Sequence, residues 1–239
     1  MKSSFLLLLF ALLNLSTLAP QQEKVIWSSF STAKTRARDI VYKGHNITFY
    51  CGCEYTPKSR SGGVIRVEPC DYEIRKSETR GSRLEWEHVV PASFFGDFLP
   101  CWTEGHPDCK KKGRACCGKV DKKFHEAEVD LHNLVPSVGE INGDRSNYQY
   151  GLVEGEPRVY GGCDFELDGD PKKAEPKEEI RGDIARIWFY MIDSYQVPIS
   201  EERLSMLKEW SASDPVDSWE KERNERIKSI QGNGNKYVK

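Results

Sequence analysis

The stretch Arg83-Leu-Glu-Trp-Glu-His-Val-Val-Pro-Ala92 is followed some forty residues later by Asp130-Leu-His-Asn-Leu-Val-Pro-Ser-Val-Gly-Glu-Ile-Asn-Gly-Asp-Arg-Ser-Asn147. A carboxylate directly before a histidine, with carboxamides downstream, combines oxygen ligands for a hard cation with an imidazole that can serve as general base. We interpret the two stretches as parts of one metal-dependent hydrolytic site.

The first stretch also makes a prediction about backbone geometry. Residues 83–90 read as a strand that Pro91 ends, with residues 78–82 as the preceding turn. On a regular strand, Glu87 and His88 would point to opposite faces of the sheet. Both side chains can therefore serve one site only if the strand ends or bulges there.

Three helices are expected in the C-terminal third, because apolar residues recur at helical spacing from about residue 178 to 195. Ser200 is expected to cap a second helix that runs towards Trp210, and a third covers about 217–230, ending near Gly232. Further expectations are a helix over 31–42, a strand over 47–51, a loop over 94–123, a helix within 124–134 and Pro136 in the first turn of the helix that carries Asn142.

An apolar run at residues 5–18 behind Lys2 predicts a signal peptide over residues 1–19, with a retained membrane anchor as the alternative. The mature domain, 20–239, would then be secreted or periplasmic and free of the membrane.

The chain has eight cysteines, at positions 51, 53, 70, 101, 109, 116, 117 and 163. An even number in an exported chain favours disulfides over zinc, and the adjacent Cys116 and Cys117 are expected to have different partners.

Charge indicates no global attraction to a polyanion. The chain has 35 basic and 37 acidic residues, and loss of the signal peptide removes only Lys2, which leaves 34 against 37. The distribution is uneven, because residues 106–125 hold seven basic residues against two acids, whereas residues 163–183 hold eight acids against four basic residues. A local basic patch of this kind can steer a phosphate backbone.

The residue types suggest a division of roles. His88 can act as general base, because an unperturbed imidazole titrates near neutral pH. Glu87 and Asn142 offer the oxygen ligands that Mg²⁺, Mn²⁺ or Ca²⁺ prefer. Arg114, on the basic segment, can hold a phosphate through charge-assisted hydrogen bonds. We interpret His132 and Asn133 as supporting or packing residues.

Both stretches, in this order, resemble the endonuclease I family of periplasmic and secreted nucleases, and the similarity extends from about residue 29 to 232. The resemblance implies an α+β single domain with a ββα-metal (His-Me finger) core, surrounding helices and several disulfides. It also implies one divalent metal and cleavage of DNA, often RNA too, with little sequence preference and 5′-phosphate products. From the oxygen ligands we expect Mg²⁺, with Mn²⁺ or Ca²⁺ as substitutes.

By motif position, the resemblance makes His88 the general base, Glu87 and Asn142 the metal ligands and Arg114 the phosphate-stabilising arginine. Glu128 corresponds to a further acidic position near the metal. The segment 101–117 is longer than is usual in the family and carries the additional Cys109 and Cys116. We expect a monomer. The alternatives are a secreted binding protein that kept the fold and lost catalysis, and a zinc hydrolase with Cys and His ligands.

Overall fold

The computed structural model describes residues 23–155 and 158–239, so the predicted signal peptide lies outside the described residues. The helices in this part of the chain are α1 Phe30–Arg36, α2 Glu78–Gly81, α3 Pro100–Thr103, α4 Arg114–Val120, α5 Lys122–Glu128, α6 Gly139–Arg145, α7 Arg181–Tyr195, α8 Glu201–Ser213 and α9 Ser218–Gln231. The strands are β1 Tyr55–Pro57, β2 Gly63–Ile65, β3 Leu84–His88, β4 Leu134–Val138, β5 Gln149–Tyr150, β6 Phe165–Asp168 and β7 Lys173–Pro176.

The two stretches quoted above form the centre of the fold. Strand β3 pairs with β4 in antiparallel register, from Leu84 opposite Val138 to His88 opposite Leu134. Helix α6 follows β4 without a loop and packs against both strands. The pairing has no bulge between Leu84 and His88, and β3 ends at His88. Of the two geometries that would let Glu87 and His88 serve one site, the structure therefore has the strand end.

The prediction for Pro136 was wrong: the residue lies in the middle of β4, opposite Trp86, and the following helix begins at Gly139. Its carbonyl accepts a hydrogen bond from the Phe49 backbone N–H, so the peptide groups of Pro136 point away from β3. A proline can occupy such a position, because its missing N–H costs the ladder no hydrogen bond.

The strand predicted over 47–51 was also wrong. Ile47 makes one isolated bridge to Glu54, and the chain turns between them, with Gly52 at a φ of +68°. Strands β1 and β2 form a separate antiparallel pair, and the third sheet has the order β5-β7-β6, in which β7 runs parallel to β5 and antiparallel to β6.

The predicted C-terminal helices are confirmed. Helix α7 follows a short 3₁₀ turn and buries one face against α8 and α5. Ser200 and Asp217 cap α8 and α9 by accepting a hydrogen bond from the backbone three residues on, and α9 ends at Gly232 in the left-handed conformation. The helix predicted over 31–42 is α1, continued by a π-helical turn, Ala37–Val41.

All eight cysteines are paired, in the disulfides Cys51–Cys163, Cys53–Cys70, Cys101–Cys117 and Cys109–Cys116. The adjacent Cys116 and Cys117 have different partners, as expected, and none of the eight is left as a zinc ligand. The segment predicted as a loop, 94–123, instead contains the short helices α3 and α4, which the Cys101–Cys117 disulfide joins. One continuous core makes the molecule an α+β single domain, which confirms the predicted fold class. No helix within the described residues could cross a membrane.

Candidate active site

A cavity of about 470 Å³ opens where β3 ends and α6 passes. Four of the five predicted site residues line it: Glu87, His88, Arg114 and Asn142. The remaining lining residues are Trp86, Pro91, Ala92, Ser93, Trp102, Gly143, Ser146 and Asn147. The fifth predicted residue, Glu128, is not among the lining residues, but it contacts His88 and Arg114.

His88 is held by the backbone of Glu128. Its Nε2 lies 2.8 Å from the Glu128 carbonyl oxygen. Because a carbonyl oxygen can only accept, Nε2 carries the proton, and Nδ1 has the lone pair that can accept a hydrogen bond. Nδ1 is 3.4 Å from a guanidinium nitrogen of Arg114. Burial and the neighbouring Arg114 lower the pKa of His88 to about 3, so the imidazole is neutral at physiological pH.

Phe30 is a site residue that the sequence analysis missed. Its ring stacks on the His88 ring with centroids 4.9 Å apart and planes inclined by 22°. The Arg114 guanidinium lies 5.1 Å from the centre of the same ring. Phe30 belongs to α1, far from both motifs in sequence, and no local pattern distinguishes it from a core aromatic residue.

Glu87 has an occupied and an open carboxylate oxygen. Oε1 accepts from Arg145 at 2.8 Å and from Tyr50 at 3.3 Å, whereas no side chain or backbone group among the described residues donates to Oε2. Burial raises the pKa of Glu87 to about 7, because the loss of hydration outweighs the attraction of Arg145. A cation next to the open oxygen would favour the ionised form.

Arg145 lies inside the second motif, yet the sequence analysis assigned it no role. It is fully buried, and besides Glu87 it donates to the backbone carbonyls of His88 and Val89, at 3.0 and 2.7 Å. The guanidinium therefore fixes the end of β3 and neutralises the buried carboxylate.

Asn142, on α6, donates an amide hydrogen from Nδ2 to Glu85 at 2.8 Å. This contact leaves the amide oxygen, Oδ1, as the group available to the cavity. Glu85 itself accepts from Arg80 and Arg83; burial would raise its pKa, but these hydrogen bonds lower it overall.

The donor set fits a hard divalent cation that keeps several water ligands. Glu87 offers one carboxylate oxygen and Asn142 one amide oxygen, which are ligand types that Mg²⁺, Mn²⁺ and Ca²⁺ accept. No cluster of three or more His, Cys, Asp or Glu side chains suited to a metal occurs within residues 23–155 and 158–239. A softer, fully protein-ligated metal such as structural zinc has no comparable site there.

Arg114 begins α4 and lies inside the loops closed by both disulfides of this segment, Cys101–Cys117 and Cys109–Cys116. Its Nε donates to Glu128 Oε1 at 2.7 Å. Glu128 thus supports the site twice, by its carbonyl on His88 and by its carboxylate on Arg114. The metal role expected for Glu128 stays a prediction. Asn133 bonds the Val90 backbone through both amide atoms, which agrees with a supporting role.

A neutral histidine, a carboxylate and an amide meet where two antiparallel strands join a following helix, and these groups suit metal-assisted hydrolysis. Residues 29–239 match the Endonuclease I family. Endonuclease-1 of Buchnera aphidicola subsp. Acyrthosiphon pisum (strain APS) is 44% identical over 198 residues, 83% of this chain and 76% of the relative. An extracellular deoxyribonuclease of Aeromonas hydrophila is 41% identical over 201 residues, 83% and 84% of the two chains. A periplasmic deoxyribonuclease of the same organism is 40% identical over 212 residues, 87% and 85%.

The chain belongs to the endonuclease I family. It is accordingly a hydrolase that acts on nucleic acid as an endonuclease, and the family implies a divalent metal cofactor. Its location is outside the cytoplasm, as for its extracellular and periplasmic relatives.

Proposed function

We propose that the protein hydrolyses phosphodiester bonds of DNA, and of RNA as well, with Mg²⁺ as its cofactor and little sequence specificity. The observation that carries this proposal is the fixed tautomer of His88, whose unprotonated Nδ1 lies in the same cavity as the open oxygens of Glu87 and Asn142. The groups in this cavity act on a phosphate group and on a water molecule, and every phosphodiester contains the phosphate group. We therefore extend the proposed substrate from DNA to RNA.

In this mechanism, Nδ1 of His88 takes a proton from the attacking water. The Nε2 hydrogen bond to the Glu128 carbonyl keeps the ring oriented and stabilises the imidazolium that forms. Arg114 lies beside Nδ1 and presents its guanidinium to the phosphoryl oxygens. Because Glu128 and the ring of Phe30 hold Arg114, its orientation is established before the substrate binds.

Glu87 and Asn142 would hold the Mg²⁺ ion, with Mn²⁺ or Ca²⁺ as substitutes. The bound ion supplies charge stabilisation for the phosphoryl group and the leaving oxygen. Arg145 keeps Glu87 in place by engaging Oε1 and leaving Oε2 free. We assign the leaving group to the 3′ oxygen, which gives 5′-phosphate products, and we propose that the mature chain works as a monomer after removal of its signal peptide.

A plasmid-nicking assay on the secreted, oxidised protein tests this proposal. We expect His88→Ala to lower the rate by about 10²- to 10⁴-fold, the usual contribution of a general base. His45→Ala is the matched control, because His45 stacks on Trp219 outside the cavity. EDTA should stop cleavage and Mg²⁺ restore it, on paired DNA and RNA substrates. Near-normal turnover by His88→Ala, or activity that persists in EDTA, would contradict the mechanism, and an inactive wild-type protein would favour a binding protein.

A further inference from the structure

Glu85 connects two arginines to a candidate metal ligand. It stands two residues before Glu87 on β3, with its side chain one-fifth exposed. Arg80 donates to both carboxylate oxygens, at 3.2 and 2.7 Å, and Arg83 donates to Oε1 at 2.8 Å. This carboxylate also accepts a hydrogen bond from the amide nitrogen of Asn142, at 2.8 Å from Oε2.

This contact determines which end of the Asn142 amide reaches the cavity. An ionised carboxylate can only accept hydrogen bonds, so Nδ2 must face Glu85 and Oδ1 must face the other way. A free asparagine could turn its amide by half a rotation and present an N–H group instead, which cannot ligate a cation. The hydrogen bond from Asn142 to Glu85 removes that alternative.

Two glycines of α6 make room for this arrangement. A Cβ on Gly143 would lie 2.0 Å from a guanidinium nitrogen of Arg80, so a side chain there would push Arg80 away from Glu85. A Cβ on Gly139 would lie 2.8 Å from the Arg80 carbonyl oxygen and 3.0 Å from the Glu85 carboxyl carbon. Both glycines sit in a helix, where glycine is unfavourable, and the close approach of Arg80 and Glu85 accounts for them.

We propose that Glu85, clamped by Arg80 and Arg83, is a positioning residue that turns the amide oxygen of Asn142 towards the divalent cation. The inference rests on the proposed function, because it takes Asn142 as a metal ligand. The proposed role of Glu85 differs from that of a purely structural ion pair, because it requires the hydrogen bond between residues 85 and 142 and not only the charge of Glu85.

The test measures Mn²⁺ affinity of the full mature protein by calorimetry, without nucleic acid, and circular dichroism monitors the fold. Glu85→Gln can present either amide end to Asn142, and Glu85→Asp keeps the charge but is one methylene too short. We expect both to weaken Mn²⁺ binding by about 10- to 100-fold, as is usual when a residue that orients a ligand is changed. The control is Glu54→Gln, which removes an exposed ion pair with Arg66 and should leave the affinity unchanged.

The double variant Glu85→Gln/Asn142→Asp reverses the same hydrogen bond. The new amide at position 85 donates to one oxygen of the new carboxylate at 142, and the other oxygen faces the cation. We expect its affinity to return to within about tenfold of the wild type, given the usual size of such effects. If the Mn²⁺ affinity of the double variant did not recover, Glu85 would have only a general structural role, and the inference would be wrong. Wild-type Mn²⁺ affinity in both Glu85 single variants would equally overturn the inference.

Asn142→Ala separates this inference from the proposed function. If Asn142→Ala binds Mn²⁺ as the wild type does, the proposed ligand set is wrong. If Asn142→Ala loses affinity while Glu85→Gln and Glu85→Asp keep it, the ligand set stands and only the positioning role fails.

Discussion

Two buried carboxylates, Glu87 and Asp130, have opposite environments. Both Asp130 oxygens are occupied: Oδ1 accepts from the His132 backbone and Gln231, and Oδ2 accepts from Lys24, Tyr190 and Tyr195. Glu87, which lines the cavity, accepts hydrogen bonds at Oε1, and no group among the described residues donates to Oε2. A buried carboxylate with both oxygens occupied joins chain segments, whereas one with a single occupied oxygen can still bind a ligand.

The ionisation of the two groups follows from this difference. For Asp130, burial alone would raise the pKa, but the Lys24 ammonium, His132 and the hydrogen bonds hold it well below its usual range. For Glu87, burial prevails and raises the pKa. The nearby histidines show a similar contrast. Burial lowers the pKa of both, to about 4 for His132 and about 3 for His88, yet only His88 lines the active-site cavity.

The largest expected effect concerns Asp130. Asp130→Asn removes the negative charge that pairs with Lys24. It also replaces one accepting oxygen by an amide NH₂ group, which faces groups that themselves donate. Loss of one partner of a buried pair costs about 3 to 5 kcal/mol, and we expect the lower end, because Lys24 is 28% exposed and can turn to solvent. Urea unfolding of the oxidised protein measures this loss. Cleavage per folded molecule should stay at the wild-type level, and a loss below about 1 kcal/mol would remove the contrast with Glu87.

The second prediction uses the pH dependence of stability in EDTA. The pKa of Glu87 rises from 4.5 to about 7 on folding, so the folded state holds more protons between these values, and its contribution to the free energy of unfolding falls as pH rises through that window. Asp130 has a lowered pKa, so its contribution is present above pH 3.8 and is lost in acid.

Glu87→Gln should therefore flatten the profile between pH 4.5 and 7, by roughly 2 to 3 kcal/mol at about 1.4 kcal/mol per pKa unit. Urea midpoints at pH 4.5, 6 and 8 provide the measurement. Asp130→Asn should leave this window unchanged and flatten the profile below it. Identical profiles for the wild type and Glu87→Gln would show that Glu87 is ionised throughout.

The part of the site that stands in short sequence motifs was predictable from the sequence. Glu87, His88 and Asn142 stand in two short motifs, and the structure brings them to one cavity. Phe30 was not predictable, because its contact with His88 depends on tertiary packing of α1. Pro136 was misplaced because a proline suits both a first helical turn and a strand edge, and the pairing of β4 with β3 distinguishes the two. The strand expected over 47–51 failed because Gly52, with its positive φ, turns the chain there.

The smallest expected effect distinguishes the ring partners of the two histidines. Phe30 stacks on His88 and also supports Arg114, whereas Tyr190 packs on His132 with centroids 4.4 Å apart and binds Asp130. An aromatic pair contributes about 0.5 to 1.5 kcal/mol beyond its buried area, so Phe30→Leu should lower kcat/KM by about twofold to tenfold. Tyr190→Phe, the matched control, removes only a hydroxyl and should lower stability while leaving kcat/KM unchanged. If the two variants changed kcat/KM equally, the His88 ring would not depend on its stacked neighbour, and the functional distinction between the two regions would rest on the carboxylates alone.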